Sequence, residues 1–414
     1  MMVISEKVLN IAGNCEKKCA GRFAELEQVA LINTQKVLEA FQKEKLSDSC
    51  FAGTTGYGYD DLGRETLDRV YADVFMAEAA LVRLGFVNGT HAISTAIMAM
   101  LAPGDVLLSA TGSPYDTLRS TIGADEKKHG SLSFYGIGYR QIEFNGEGKP
   151  DLPAIREAAA DKKVKAVLIQ RSRGYSQRKA LSVDDISEIC RCVNEVNPGA
   201  AILVDNCYGE FTETKEPIEA GADLIAGSLI KNPGGGLAPA GGYIAGRADL
   251  IEKAAMCLTT PGIGGECGAT LGTSRLLFEG LYFAPHCVCQ ALKTAVFCAA
   301  LMDELGMKTS PAWNEKRSDI IQAVDLGSKE KMTDFCRGIQ SGSAVDSYVS
   351  PEPWAMPGYD CEVIMAAGNF IQGASLELSA DGPLREPYTV YLQGGLTYEA
   401  GKLGIMNAVS SMLK

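Results

Sequence analysis

Ala201-Ile202-Leu203-Val204-Asp205-Asn206, followed by Asp223-Leu224-Ile225-Ala226-Gly227-Ser228-Leu229-Ile230-Lys231-Asn232-Pro233-Gly234-Gly235-Gly236, is the part of the chain whose reading decides the fold. Each tract carries an apolar run too short for a typical helix and without polar alternation, which is how a strand covered on both faces of a parallel sheet reads. Each then ends on a charged residue that an apolar strand does not need. A carboxylate at the end of a buried strand costs several kcal/mol unless a cation meets it, so Asp205 requires a partner. That partner is either a structural Arg or Lys or the protonated ring nitrogen of a cofactor. Lys231 stands 26 residues after Asp205, between an apolar strand and three glycines. Burial disfavours its charge, and a chemical role is what compensates; the plain alternative is a surface lysine.

The same alternation extends on both sides. Strands are expected at 80–87, 105–110, 164–170 and 241–246, with helices from Thr90 and after Pro114. Strands alternating with helices make an α/β, doubly wound and mostly parallel core of about 200 residues. Residues 5–45 carry apolar positions at helical spacing and predict an N-terminal helical arm, and the Gly- and Tyr-rich stretch 51–63 predicts an ordered loop. A helical run is expected from Glu266 to about Leu305. Beyond it, EVIMAAG, ASLELS and a helix from Leu396 to Leu413 suggest a smaller α+β domain. The expected division is a helical arm over 1–55, a large domain over 56–295 and a small domain over 296–414.

Composition narrows the function. Lys and Arg number 39 against 51 Asp and Glu, for a net charge of −12, and no basic block tracks a phosphate backbone, so nucleic acid is not an expected partner. Thirteen cysteines without the spacing of a disulfide framework predict reduced thiols. With three histidines in the chain, a structural zinc site is not expected. The first residues lack a signal-like apolar stretch and no run of about 18 apolar residues occurs later, so a cytoplasmic protein away from membranes is expected.

In open parallel sheets, ligands gather at the carboxyl ends of strands. Asn88-Gly89-Thr90-His91 lies at such an end, where backbone N–H groups at a helix start can face a phosphate; an ordinary cap by Thr90 is the competing reading. Gly234-Gly235-Gly236 comes after the fourth or fifth strand rather than opening the first helix, which argues against a dinucleotide fingerprint.

With a phosphate loop, an acid and a lysine in that order, the sequence resembles the fold-type I enzymes dependent on pyridoxal 5'-phosphate (PLP), and within them the cystathionine and methionine lyase group. GYGYDDLGRETL, FVNGTHAI, LLSATGSPYDTL, ILVDNCYGEF, GSLIKNPGGGLAPAGGYIAG and YLQGGLTY are most similar to the bacterial aluminium-resistance or methionine gamma-lyase-like proteins. The resemblance covers nearly the whole chain. It implies that Lys231 carries PLP as a Schiff base and that Asp205 keeps the pyridinium protonated so the ring acts as electron sink. It implies that Gly89, Thr90 and Ser228 bind the phosphate, and that Tyr115 stacks on the ring, with His91 the competing stacker. Tyr57, Tyr59 and Arg64 resemble a Tyr and Arg sent from a neighbouring subunit, implying a homo-oligomer, dimer or tetramer, with shared sites. Arg385 is where the small domain supplies a guanidinium for the substrate carboxylate, the alternative being a surface pair with Glu386 or Asp381. Arg171 and Arg173 stand where the lyases carry an Asn or similar group; Arg173 is retained as a candidate substrate contact. The implied activity is carbon-sulfur bond elimination from a sulfur amino acid, with an aminotransferase, a racemase-like reaction or a catalytically silent PLP fold as alternatives.

Overall fold

The computed structural model describes residues 2, 4–356 and 361–413. Its first half contains α1 (Glu6–Lys43), α2 (Leu62–Val74), β1 (Ala79–Arg83), α3 (Gly89–Met100), β2 (Val106–Ser109), α4 (Asp116–Ile122), β3 (Gly138–Gln141), α5 (Leu152–Ala159), β4 (Val164–Gln170), α6 (Val183–Val196) and β5 (Ala201–Asp205). The second half adds β6 (Leu224–Ser228), β7 (Gly242–Gly246), α7 (Ala248–Leu258), α8 (Ser274–Glu304), β8 (Lys308–Ser310), β9 (Ile321–Asp325), α9 (Lys329–Ser341), β10 (Trp354–Ala355), β11 (Glu362–Ala367), β12 (Leu378–Pro383), β13 (Thr389–Gly394) and α10 (Tyr398–Met412).

The first sheet has the order β1-β7-β6-β5-β4-β2-β3, and its strands β3, β2, β4, β5 and β6 are parallel. Every residue of β5 and β6 is buried, which is why they carry no polar alternation. β7 alone runs against its neighbours β6 and β1. The segment between β6 and β7 holds no α-helix, and without such a crossover the chain returns antiparallel. The helices that cover the sheet start on side chains the sequence supplies. Ser182 and Asp185 form a reciprocal capping box at α6, and Asp61 accepts the Arg64 N–H at 2.9 Å at the start of α2.

The second sheet is antiparallel, in the order β10-β11-β12-β13-β9-β8. α9 and α10 cover one face so closely that a Cβ on Gly338 would come within 2.4 Å of the Ala408 Cα. The long helix α8 carries the chain from the first sheet to the second.

Three sequence expectations shift, and one further observation bears on the membrane. The strand expected over 80–87 stops at Arg83, and a turn leads from there to Asn88. The helical run expected from Glu266 begins at Ser274, because Gly264, Gly268 and Gly272 adopt positive φ values of 57°, 131° and 75°, incompatible with a right-handed helix. Of ASLELS, only Leu378 and Ser379 lie in a strand. Finally, α8 is long and apolar enough to cross a membrane, although no continuous apolar run announced it; 83% of that window is buried inside the protein, as befits a core helix.

Candidate active site

The groups singled out at strand ends meet at one edge of the first sheet. Asp205 closes β5, Ser228 closes β6, and Gly89 opens α3 beside them. A Cβ on Gly89 would lie 3.0 Å from the Ser228 Cβ and 3.6 Å from the Cys207 sulfur, so the three segments form a tight cradle that only glycine fits easily. Asn88, rather than Thr90, caps α3: its Oδ1 accepts the His91 N–H at 2.9 Å. The first N–H groups of a helix have no acceptor within it, and those of Gly89 and Thr90 start α3 beside the cradle. The Thr90 hydroxyl is thereby left for Tyr115, whose OH donates to it at 3.0 Å. The Tyr115 backbone N–H in turn donates to Gln170 Oε1 at 3.1 Å, tying the tyrosine to the end of β4.

Asp205 is 4% exposed, and its Oδ1 accepts the Cys207 N–H at 3.2 Å. Burial pushes its carboxyl up to about 6, against the opposing pull of the Cys207 N–H and thiol and the positive field of Arg178. Among the described residues no ion pair reaches it. The acid therefore still lacks the cation that its burial demands, and a pyridinium nitrogen meets that demand. Tyr115 belongs to the same environment: burial first, and then the Asp205 carboxylate, push its hydroxyl well above the usual range.

Lys231 reaches the loop between β11 and β12 of the second sheet. Its Nζ donates to the Gly373 carbonyl at 2.5 Å and to Ser375 Oγ at 2.9 Å, and lies 5.1 Å from the centre of the Tyr208 ring. Tyr208, at φ 72°, is also 3.3 Å through its hydroxyl from Ser375 Oγ. The loop that presents Gly373 and Ser375 is pinned by Glu377, whose carboxylate accepts the N–H groups of Phe370 and Ile371.

The other candidates occupy distinct places. His91 Nδ1 accepts the Val87 N–H at 3.2 Å and its ring meets Phe86 edge-on at 5.6 Å, so its ring is engaged with its own turn. Tyr57 and Tyr59 stack on each other at 5.6 Å, 71% and 56% exposed, while the buried Arg64 guanidinium binds the carbonyls of Gly58, Gly268 and Glu266 and shapes that loop from inside. Arg385 is exposed in the turn between β12 and β13, in ion pair with neither Glu386 nor Asp381 among the described residues, and its positive field reaches Tyr391. Arg173 is 1% exposed; its guanidinium donates to Ser310 O at 2.7 Å and to Ser176 O, and lies 5.8 Å from the Tyr391 ring centre.

Arg171 is wholly buried, at 2.8 Å from Glu213, 3.4 Å from Glu216 and 2.8 Å from Asn206 Oδ1. Removing one side of such a network strands a buried charge. Arg171→Met is expected to destabilise the protein by about 3–5 kcal/mol, visible as a melting temperature lower by several degrees. An unchanged melting temperature would show the network to be dispensable.

Sequence reasoning missed Gln170, Arg178, Tyr208 and Ser375. Arg178 collects the carbonyls of Gln170, Arg171 and Ser172 and braces the loop after β4; burial lowers its guanidinium to about 10. Gln170 and Tyr208 were signalled only by their nearness to strand ends, and Ser375 and Arg178 by nothing local.

A buried acid, a lysine and a helix start gathered at the carboxyl ends of a mostly parallel sheet, with a second antiparallel sheet beside them, define a PLP-dependent enzyme of fold type I. The Escherichia coli PLP-dependent protein YhfS shares that fold at a TM-score of 0.62 over 94% of this chain and 97% of its own, with 18% identity. The family described as methionine gamma-lyase matches residues 8–413, and the chain belongs to that family. The Clostridium novyi NT protein described as a carbon-sulfur lyase involved in aluminum resistance is 50% identical, with 98% of this chain and 96% of that one covered at a TM-score of 0.95. Bacillus subtilis YnbB, described as uncharacterized, is 48% identical over 99% of this chain and 97% of its own. The L-methionine gamma-lyase of Pseudomonas putida is 26% identical over 56% of this chain and 53% of its own. PLP is the family's cofactor, and the Gly89 cradle and the unpaired Asp205 fit it.

Proposed function

We propose that this protein is a PLP-dependent carbon-sulfur lyase that eliminates a thiol from the β or γ carbon of a sulfur-containing amino acid. The observation that carries the reading is a hydroxyl held protonated near Asp205, that of Tyr115, with Tyr208 close both to it and to the amine of Lys231. Elimination needs both a base at Cα and an acid at the departing sulfur, whereas amino transfer is served by one base.

When bound, PLP supplies an electron sink for the bond broken at Cα. Lys231 would hold the cofactor through its Nζ and, once displaced by the substrate amine, take the Cα proton. Asp205 would hold the ring nitrogen through its buried carboxylate. Gly89, Thr90 and Ser228 would carry the phosphate. For a γ substituent Lys231 Nζ would also take a proton from Cβ and return it to Cγ after the sulfur has left. As the C–S bond breaks with its electron pair on sulfur, Tyr115 Oη or Lys231 Nζ would deliver the proton that frees the thiol. Water then converts the remaining unsaturated amine to a 2-oxo acid and ammonia. Arg385 would bind the substrate carboxylate. Arg173, its donors committed to Ser310 and Ser176, would act by holding the Tyr391 ring. The exposed Tyr57 and Tyr59 pair would be offered to the site of a second copy.

The test is to load the protein with PLP and supply cystathionine, S-alkylcysteines or methionine without any 2-oxo acid. Formation of thiol, ammonia and 2-oxo acid supports elimination. Product formation only when a 2-oxo acid is added would replace the reading with amino transfer. Tyr115→Phe is expected to keep the cofactor's visible absorption and lose about 10²-fold or more in elimination rate; full activity would remove Tyr115 from the proton path.

A further inference from the structure

The second sheet has two faces, and the one turned to the first domain carries acceptors that are only partly satisfied. A Cβ on Gly382 would meet Met332 of α9, and Leu378 lies where a Cβ on Gly404 of α10 would reach, so the even-numbered residues of β12 face those helices. Ser379 and Asp381 therefore point the other way. Their direct partners on β13 are Gln393 and Tyr391, and residues opposite each other in an antiparallel pair share a face. Tyr391 identifies what that face meets: its ring lies 5.2 Å from that of Tyr175, and its hydroxyl donates to the Tyr175 carbonyl, on the loop after β4.

Three of these side chains form a cluster of hydrogen-bond acceptors. Asp381 is 8% exposed and forms no ion pair among the described residues; Gln393 Nε2 sits at 3.5 Å from both of its oxygens. Burial raises its carboxyl to about 6, even with the Tyr175 hydroxyl and the field of Lys231 favouring the charged form. The hydroxyl of Ser379, 4% exposed, and the Oε1 of Gln393, 5% exposed, are buried without a hydrogen-bond partner. A cluster holding one carboxylate and two idle oxygens suits a donor-rich cation. Lys231 is the cation whose field reaches Asp381, but its Nζ already has Gly373 and Ser375 as acceptors. Arg385 stands apart from the cluster as a second cation, and its field, like that of Asp381, falls on Tyr391.

We propose that Asp381, Ser379 and Gln393 form a subsite for a second positive group on the substrate, an ammonium carried by the sulfur substituent. The substrate class is then a thioether amino acid with an amine beyond the sulfur, rather than one ending in a plain alkyl group such as methionine. This rests on the carbon-sulfur lyase reading, and it adds a reason for choosing among sulfur amino acids.

The test uses the PLP-loaded protein and two isosteric substrates, S-(2-aminoethyl)-L-cysteine and S-propyl-L-cysteine, which differ in a terminal ammonium against a methyl group. The wild type should favour the aminoethyl compound in kcat/KM by about 10-fold to 100-fold, the range of a charge-assisted hydrogen-bond set. Asp381→Asn should collapse that ratio toward unity, and Ser379→Ala should reduce it; the second variant decides the matter if the first does not fold. A wild type without preference, or variants that leave the ratio intact, would overturn the subsite. If neither compound yields thiol, the lyase reading is what fails. The subsite is then judged from the dissociation constants of the same two compounds, read from the cofactor's absorption, with the same ratio expected.

Discussion

Lys231→Ala is expected to abolish elimination, by about 10³-fold or more, because one side chain both anchors the cofactor and moves the Cα proton. The wild-type protein loaded with PLP should show a visible absorption band that borohydride bleaches, with the cofactor's mass left on the peptide containing Lys231. The variant should bind PLP without that covalent mark. Retained turnover together with the band would remove Lys231 from the chemistry.

Asp205→Asn is expected to act with opposite sign on the two forms of the protein. Without cofactor, the wild-type carboxyl titrates at about 6 rather than 3.8, because burial disfavours its charge. The folded state then holds the proton more tightly than the unfolded chain. Stability associated with this group is present below about pH 4 and is lost as pH rises through about 6, amounting to about 3 kcal/mol at 1.36 kcal/mol per pH unit. Asparagine removes that penalty, so at pH 7–8 the cofactor-free variant should melt higher than wild type. With PLP bound the ring nitrogen pairs with the wild-type acid, and the variant should bind the cofactor more weakly and lose about 10²-fold or more in rate. A cofactor-free variant that melts no higher would show that Asp205 already has a partner.

Much of the first sheet was legible because its central strands advertise themselves. β4, β5 and β6 are apolar almost without interruption, and their ends carry Gln170, Asp205 and Ser228, with Lys231 close behind. The direction of β7 was not legible, since an apolar strand looks alike either way and the length of the connection decides. Neither was the start of α8, because the Gly-rich loop before it carries helical-looking residues of its own. At the site, Asp205 and Gly89 gather as their positions at a strand end and a helix start suggested, and Ser228 and Tyr115, which only the family resemblance implied, lie beside them. Lys231's partners, Gly373 and Ser375, lie more than 140 residues away in the loop between β11 and β12, and no local pattern can announce such a meeting. The acceptor cluster on β12 and β13 was hidden for the same reason. Asp381 in sequence reads as a candidate surface partner of Arg385, and only the pairing of β12 with β13 brings it near Gln393.

The helix α8 touches both halves of this arrangement through glycines. A Cβ on Gly235, in the triplet after Lys231, would come within 2.3 Å of the Gly280 carbonyl, and one on Gly395, just past β13, within 2.3 Å of Thr294 Oγ1. Both anchor points lie on one continuous helix, about 21 Å apart at 1.5 Å per residue. The lysine and the wall that faces it are thus mounted on a common spine, and a length of helix that includes Pro285 separates their two anchor points. A side chain added at Gly280 or Gly395 would alter the gauge between the two walls while leaving every group that lines them chemically intact.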